Sequence, residues 1–294
     1  MPQIQIRGAH INYEILGDKG PWVALSPGGR RPLEGVKHLA ERVAAHGYRV
    51  LIHDRRNCGA SDVVFDGTPD APTEYEIWAE DLYAMLKHFG ATPAFVGGGS
   101  SGCRMSLLLA LRHPEVVRGL LLWRVTGGEF AARRLANQYY LQYIPMAKQG
   151  GMAAVCTSEH FADRIKQRPA NRDAIMKMDA NRFCASFENW AQGFLQDATK
   201  PVIGATAEQL QSVKAPVIIV PGNDKTHDIG VGERAHKIMK GSELYLLFTQ
   251  NQDIDIVPPQ DWEYKDDELA GVFADFMKRA MTKAVPVSTP TITR

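Results

Sequence analysis

Hydrophobic and polar positions change rhythm repeatedly along this chain. "QIQIRG" and "HINYEILG" alternate with period two on either side of Gly8 and Ala9, which predicts an opening β-hairpin. Short apolar runs follow: "WVALS", "YRVLIHD", "PAFVGG" and "VRGLLLWRV" read as strands. Between them lie stretches with apolar residues at helical spacing. "LEGVKHLAERVAAHG" is stopped by Gly47, and "TEYEIWAEDLYAMLKHFG" has Thr73 as N-cap and Gly90 as its stop. "SGCRMSLLLALRHPE" is the third such stretch. Strands alternating with helices predict parallel βαβ units.

From about 129 to 207 the pattern is helical only and rich in Arg, Gln, Met and Tyr. The alternation returns with "APVIIVPGND", a helix at "GVGERAHKIM", the strand "ELYLLF" and a last amphipathic helix "DDELAGVFADFMKRAM". The expected organisation is therefore an α/β core over 1–128 and 208–282, a helical insertion over 129–207, and a flexible tail over 283–294.

Composition narrows the class without naming a function. The 294 residues are 45% hydrophobic and 23% charged, with a formal net charge of +1. That balance gives no electrostatic case for nucleic acid or a membrane surface as the main partner. "SLLLAL" and "GLLLW" are too short to span a bilayer, and the first residues lack a signal-peptide design. Cys58, Cys103, Cys156 and Cys184 are scattered without CxxC spacing, as free thiols in a reducing cytoplasm would be. Neither a metal nor an organic cofactor is implied. A homodimer is left open.

The chemistry concentrates in "FVGGGSSGCRMSLLLALRHPE", residues 95–115. A Walker phosphate loop needs a lysine that is not here, and Gly97, Gly99 and Gly102 match GxGxxG without the later acidic residue that would bind a ribose. Gly98, Ser100 and Gly102 match GxSxG between a strand and a helix, where a sharp turn exposes a serine nucleophile and leaves no room for flanking side chains.

At this point the chain resembles the α/β-hydrolase superfamily over nearly its whole length. "LSPGGR" is similar to the family's oxyanion loop, and "HDRRNCGASD" to its DxRGxGxSD turn, with Asn57 and Cys58 in the Arg-Gly interval. "LALRHPEVVRGLLL" resembles the elbow helix and next strand, and "VKAPVIIVPGNDKTH" the strand and loop that present the acid. The resemblance implies an α/β-hydrolase fold, a doubly wound and mostly parallel sheet whose helical insertion is the cap. It implies Ser100 as nucleophile, Asp224 as acid with Glu129 as a remote second choice, and backbone N–H groups of Ser101 and Gly29 as the oxyanion hole; Gly28 and Gly29 alternatively serve only a tight turn.

The base breaks the pattern. The family supplies it as a Gly-His pair after the last strand, yet no histidine occurs after His236, and Gln252 and Asp253 stand near the expected place. The substitutes are His227, three residues after Asp224, then His160 in the insertion and His53 at a strand end. His10, His38, His46, His88 and His236 read as surface residues, and His113 as structural.

Arg30, Arg104 and Arg124 sit on elements whose ends face the site; two of them pointing inward would select a carboxylate or another anion. Arg55 and Arg56 read as structural. Trp123, Tyr140 and His160 are further substrate-contact candidates, and Tyr139, Met152, Phe187 and Trp190 either line the lid or pack within it. The leading expectation is a serine hydrolase of a small ester, lactone, thioester or amide, with C–C bond cleavage as a variant. A lyase or decarboxylase using the oxyanion hole and a catalytically inactive ligand-binding relative are the alternatives, both motivated by the missing base.

Overall fold

A computed structural model describes residues 2–65 and 72–283 of the chain. Strands β1 (Gln3–Ile6) and β2 (Ala9–Leu16) form the expected antiparallel hairpin. β3 (Trp22–Ser26), α1 (Glu34–Ala45), β4 (Arg49–His53), α2 (Glu74–His88), β5 (Ala94–Gly99), α3 (Ser101–Arg112) and β6 (Val117–Trp123) follow. Thr73 caps α2 in a reciprocal box with Glu76, an arrangement worth about 1 kcal/mol.

Helices α4 (Gly128–Ala136), α5 (Tyr143–Thr157), α6 (Glu159–Gln167), α7 (Ala170–Met176), α8 (Ala180–Gln196) and α9 (Ala207–Ser212) separate β6 from β7 (Val217–Val220). The chain then runs through α10 (Ile229–Ile238), β8 (Glu243–Leu244), α11 (Gln260–Glu263) and α12 (Asp266–Lys283). The tail expected from 283 onward lies outside the described residues, apart from Lys283, which ends α12.

The eight strands form one sheet in the order β1-β2-β4-β3-β5-β6-β7-β8, antiparallel at β1/β2 and β2/β4 and parallel elsewhere. This is the mostly parallel, doubly wound sheet of the α/β-hydrolase fold. Successive residues of each strand feed opposite layers. Val23, Leu25, Val50, Ile52, Leu121 and Val220 pack with α1 and α12, whereas Ala24, Leu51, Leu120, Leu122 and Ile219 pack with α2 and α3. Both faces being covered, the inner positions of the central strands are apolar on both sides, as in "VLI", "LLLW" and "VIIV", which is why they read as continuous runs.

One strand is shorter than its sequence predicts. Of "ELYLLF" only Glu243 and Leu244 pair with β7. β7 ends at Val220, and Pro221 has no N–H with which to extend a ladder. Leu247 is instead buried in the layer under α12, and the Phe248 ring packs 4.9 Å from Trp262.

Within α4–α9 most aromatics pack on one another. Phe183 and Phe187 stack at 4.1 Å, and Phe65, Tyr140, Tyr143, Phe161 and Trp190 surround Phe187.

Candidate active site

Ser100 lies between the last residue of β5 and the first of α3, at φ 53° and ψ −110°. That conformation is strained for a residue with a side chain, and it persists because close packing on both sides fixes it. A Cβ on Gly98 would lie 2.4 Å from the Gly102 carbonyl carbon, and one on Gly102 would lie 2.5 Å from the Ser26 carbonyl oxygen. The two flanking glycines are therefore demanded by the approach of α3 to β5 and β3, and the turn lifts Ser100 to the sheet's C-terminal edge. Ser101 opens α3, so its N–H has no acceptor within the helix.

The loop after β7 supplies both other groups. A Cβ on Gly222 would sit only 2.2 Å from the His227 Cβ, so the loop folds back on itself and brings His227 over Ser100. His227 Nε2 is 2.9 Å from Ser100 Oγ, and His227 Nδ1 is 2.8 Å from Asp224 Oδ1.

Asp224 is fully buried and well supplied with donors. The backbone N–H groups of Thr226, His227 and Val257 donate to it at 3.0, 2.8 and 2.9 Å, and Arg124 Nη2 donates at 2.9 Å. Burial opposes its charge, but the hydrogen bond from His227 and these further donors win and hold the carboxyl down at about 2. Burial depresses the His227 imidazole to about 4; Asp224 pulls it upward, while the Arg124 cation works with burial. At neutral pH the pair is thus an ionised carboxylate against a neutral imidazole, whose Nδ1–H donates to Asp224. The free Nε2 then accepts the Ser100 hydroxyl proton, the arrangement of an activated oxygen nucleophile.

Residues 251–257, where the resemblance led one to look for the base, brace this loop instead. Gln252 N–H donates to the Asn223 carbonyl at 2.8 Å, and Thr226 N–H to the Asp255 carbonyl at 3.1 Å. The Asp253 carboxylate pairs with Lys225 on the surface. Neither Gln252 nor Asp253 reaches Ser100, whose imidazole partner comes from the acid's own loop.

A second brace fixes the "PGG" loop. Gly29 O accepts from Ser101 Oγ at 2.7 Å and from Arg55 Nη2 at 2.7 Å, while Arg55 Nη1 donates to Ser101 Oγ at 2.9 Å. This triangle ties Gly29 to the start of α3. Gly28 packs against the elbow, its Cβ position being 3.4 Å from Ser100 Cβ. Arg56 is bound bidentately to Asp81. Both arginines of that turn are accounted for inside the fold.

A cavity of about 700 Å³ opens above Ser100. Its floor includes Gly28, Gly29, Ser100, Trp123, Arg124 and His227, and α4 to α6 roof it with Leu135, Tyr139, Tyr143, Met146, His160 and Arg164. Arg30, Arg124, Trp123 and His160, four of the substrate-contact candidates, line this wall.

Two expected contacts are corrected. Arg104 is not on this wall: its guanidinium is clamped between Tyr75 and Phe194, 4.1 and 4.2 Å from their ring centres, and donates to Thr126. Tyr140 is fully buried in the aromatic cluster, its hydroxyl donating to Glu74 at 2.8 Å. It is Tyr139, its neighbour in a π-helical turn at Asn137–Leu141, that faces the cavity.

The other histidines do not reach Ser100. Burial, with Arg30 and Arg164 nearby, keeps His160 uncharged, and its Nε2 has no partner among the described residues. His53 is buried off the cavity and held neutral at about 3, chiefly by burial. His38 is exposed, as expected, and at the same time lines the cavity, paired to Asp266 at 2.8 Å. Glu129, the remote alternative acid, is exposed and paired with Arg133. The sequence reading missed Arg31, Tyr143 and Trp262 on the wall; of these only Arg31, inside "PGGRRP", carried a positional signal.

Comparison with known proteins agrees with the architecture. A profile of the α/β hydrolase fold matches residues 28–166. An uncharacterized hydrolase of Bacillus subtilis, YraK, is 32% identical over 120 residues, which are 40% of this chain and 42% of that protein. A proline iminopeptidase of Lactobacillus helveticus is 21% identical over 89% of this chain and 96% of its own.

Among solved structures, the enol-lactonase of Burkholderia xenovorans LB400 superimposes with a TM-score of 0.59 at 17% identity, covering 96% of this chain and 100% of that one. A malate-bound thermophilic esterase of Thermogutta terrifontis gives 0.64 at 17%, covering 95% and 99%. The sheet order, the serine elbow, the matched profile and these structural neighbours agree on one architecture: the chain has the α/β-hydrolase fold.

Proposed function

We propose that this chain is a serine hydrolase acting on a small ester, lactone, thioester or amide. The observation that carries the reading is the continuous relay from Ser100 Oγ through the His227 ring to Asp224, at 2.9 and 2.8 Å. Ser100 Oγ attacks the acyl carbon while His227 Nε2 takes its proton; the imidazolium so formed is stabilised by Asp224 and then protonates the leaving group. Water, activated by the same imidazole, hydrolyses the acyl-enzyme.

The carbonyl oxygen becomes negative in both steps. The N–H groups of Ser101 and Gly29 receive it, each worth roughly 3 kcal/mol in the transition state. Helices α4 to α9 act as the cap that excludes water and shapes the pocket. Relatives named as lactonase, esterase and iminopeptidase accord with acyl transfer. The lyase and inactive-binder alternatives drew on the want of a base, and His227 supplies one.

Incubation with a fluorophosphonate and mapping of the adduct by mass spectrometry tests this. Ser100 is expected to carry the adduct, Ser100→Ala to abolish it, and His227→Ala to slow it at least about 100-fold. A folded protein that reacts elsewhere, or not at all, sinks the proposal. Labelling indifferent to His227→Ala would remove His227 as base.

A further inference from the structure

Arg30, Arg31, Arg124 and Arg164 all reach the cavity wall. Three of them bring their own counter-charge. Arg30 Nη2 lies 2.6 Å from Glu74, Arg124 Nη2 lies 2.9 Å from Asp224, and Arg164 is paired with Asp163. Arg31 has none: among the described residues it makes no side-chain hydrogen bond and no ion pair.

Its stem runs beside Gly29, with Cγ and Cδ 3.8 and 4.0 Å from where a Gly29 Cβ would be. One guanidinium nitrogen reaches 3.4 Å from the corresponding point on Gly35, at the start of α1. Gly29 and Gly35 both line the cavity, so the cation spans from the oxyanion loop across the wall. The side chain is half-buried, and its surroundings offer little help to the charge. Burial and the Arg124 cation both disfavour it, and exposed Glu263 offsets them only in part. The remaining acids on the wall are already engaged, Asp266 with His38 and Asp163 with Arg164, or exposed, as are Glu34 and Glu159.

A partly desolvated guanidinium without an anion is a site held ready for one, and its planar fork matches a carboxylate with two parallel hydrogen bonds. We infer that Arg31 recognises a free carboxylate on the substrate, so that the preferred substrates are acyl compounds bearing a second, anionic carboxyl group. Sequence logic looked for this role in Arg30, Arg104 and Arg124. The structure engages the first and last within the protein and takes the second off the wall, leaving Arg31. The inference deepens the serine-hydrolase reading, on which its kinetic half rests; its binding half does not need turnover.

Two measurements test it. Ser100→Ala protein is titrated calorimetrically with glutarate and with neutral glutaramide. Glutarate is expected to bind at least about 10-fold tighter, with the preference lost in Ser100→Ala/Arg31→Met and partly kept by Arg31→Lys. In the Ser100 enzyme, the kcat/KM ratio of p-nitrophenyl hemiglutarate to p-nitrophenyl pentanoate is expected to fall at least about 10-fold on Arg31→Met, while pentanoate hydrolysis stays within about 3-fold.

Equal binding of glutarate and glutaramide, or no binding of either, overturns the inference. So does a parallel loss of both esters, which would mean that Arg31 merely props the oxyanion loop. Fluorophosphonate labelling of Ser100 keeps the two readings apart. Labelled enzyme without a charge preference removes only the role of Arg31, and carboxylate preference without labelling removes only the hydrolase.

Discussion

Arg124 is the most informative residue to perturb, because it touches Asp224, the proposed acid, and not Ser100, the proposed nucleophile. It sits at φ 53° just past β6 and donates through Nη2 to Asp224 at 2.9 Å and to the Val257 carbonyl at 2.8 Å. Arg124→Met removes one partner of a buried ion pair, a change that costs about 3–5 kcal/mol in general. Asp224 keeps three backbone donors and the imidazole, so about 3 kcal/mol, the low end, is expected here. In a chain of 294 residues that corresponds to roughly 5 °C in Tm.

The catalytic effect has a definite sign. The Arg124 cation disfavours imidazolium, so its loss lets the His227 pKa rise from about 4 toward the ordinary value. The acid limb of kcat/KM, which reports the free enzyme's base, therefore moves to higher pH, while activity near pH 8 changes little from this cause. The assay is a pH profile of p-nitrophenyl butyrate hydrolysis between pH 3.5 and 8, with urea melts at pH 8 on the same samples. An unmoved or lowered acid limb would refute the electrostatic account, and a stability loss under about 1 kcal/mol would refute the ion-pair account.

Other consequences are open to direct measurement. His53 and His227 are neutral in the fold at about 3 and about 4, below their value of 6.5 in the unfolded chain, so the unfolded state takes up protons first as pH falls. Each should cost about 2 kcal/mol of stability between pH 7.5 and pH 5; urea melts at the two pH values should show the loss, and His53→Phe should reduce it. Gly222→Ala would drive a Cβ into His227, displacing the imidazole from Ser100. Fluorophosphonate labelling should fall at least about 100-fold with the far-ultraviolet circular dichroism unchanged, and normal labelling would contradict the close packing of Gly222 on the His227 side chain. Ser101→Ala removes one of the two donors to the Gly29 carbonyl and leaves Arg55 Nη1 short of an acceptor. It should lower kcat about 10-fold with little change in KM, and a pure KM effect would argue against a role in oxyanion geometry.

Period and punctuation in the sequence marked the elements and their parallel βαβ order, and the family resemblance of the motifs implied the α/β-hydrolase fold. Alternating runs, helix stops at Gly47 and Gly90, and the Thr73 cap are local properties, and each element they mark recurs in the structure within a few residues. The serine elbow was legible for the same reason: a strand, small residues and a helix compress into adjacent positions. "ELYLLF" misled because its strand length was set by Pro221, the residue that follows the neighbouring strand β7, which lies outside its own sequence.

The sequence put His227 first among three candidate bases but could not decide between them, because proximity to Ser100 depends on how the loop after Val220 folds. Asp224 and His227 are 124 and 127 positions away from Ser100, and only the reversal permitted by Gly222 and braced by residues 251–257 brings the ring over the hydroxyl. The arginines divide on the same ground. Their charge is fixed by residue type, but which charge is spent is decided by partners distant in sequence: Glu74 for Arg30, Asp224 for Arg124, two rings and Thr126 for Arg104. Sequence alone determined the elements, their order and the elbow, because those arise from neighbours along the chain. Tertiary structure decided which histidine meets the serine and which arginine is left for a ligand, because desolvation and pairing act between residues that only folding brings together.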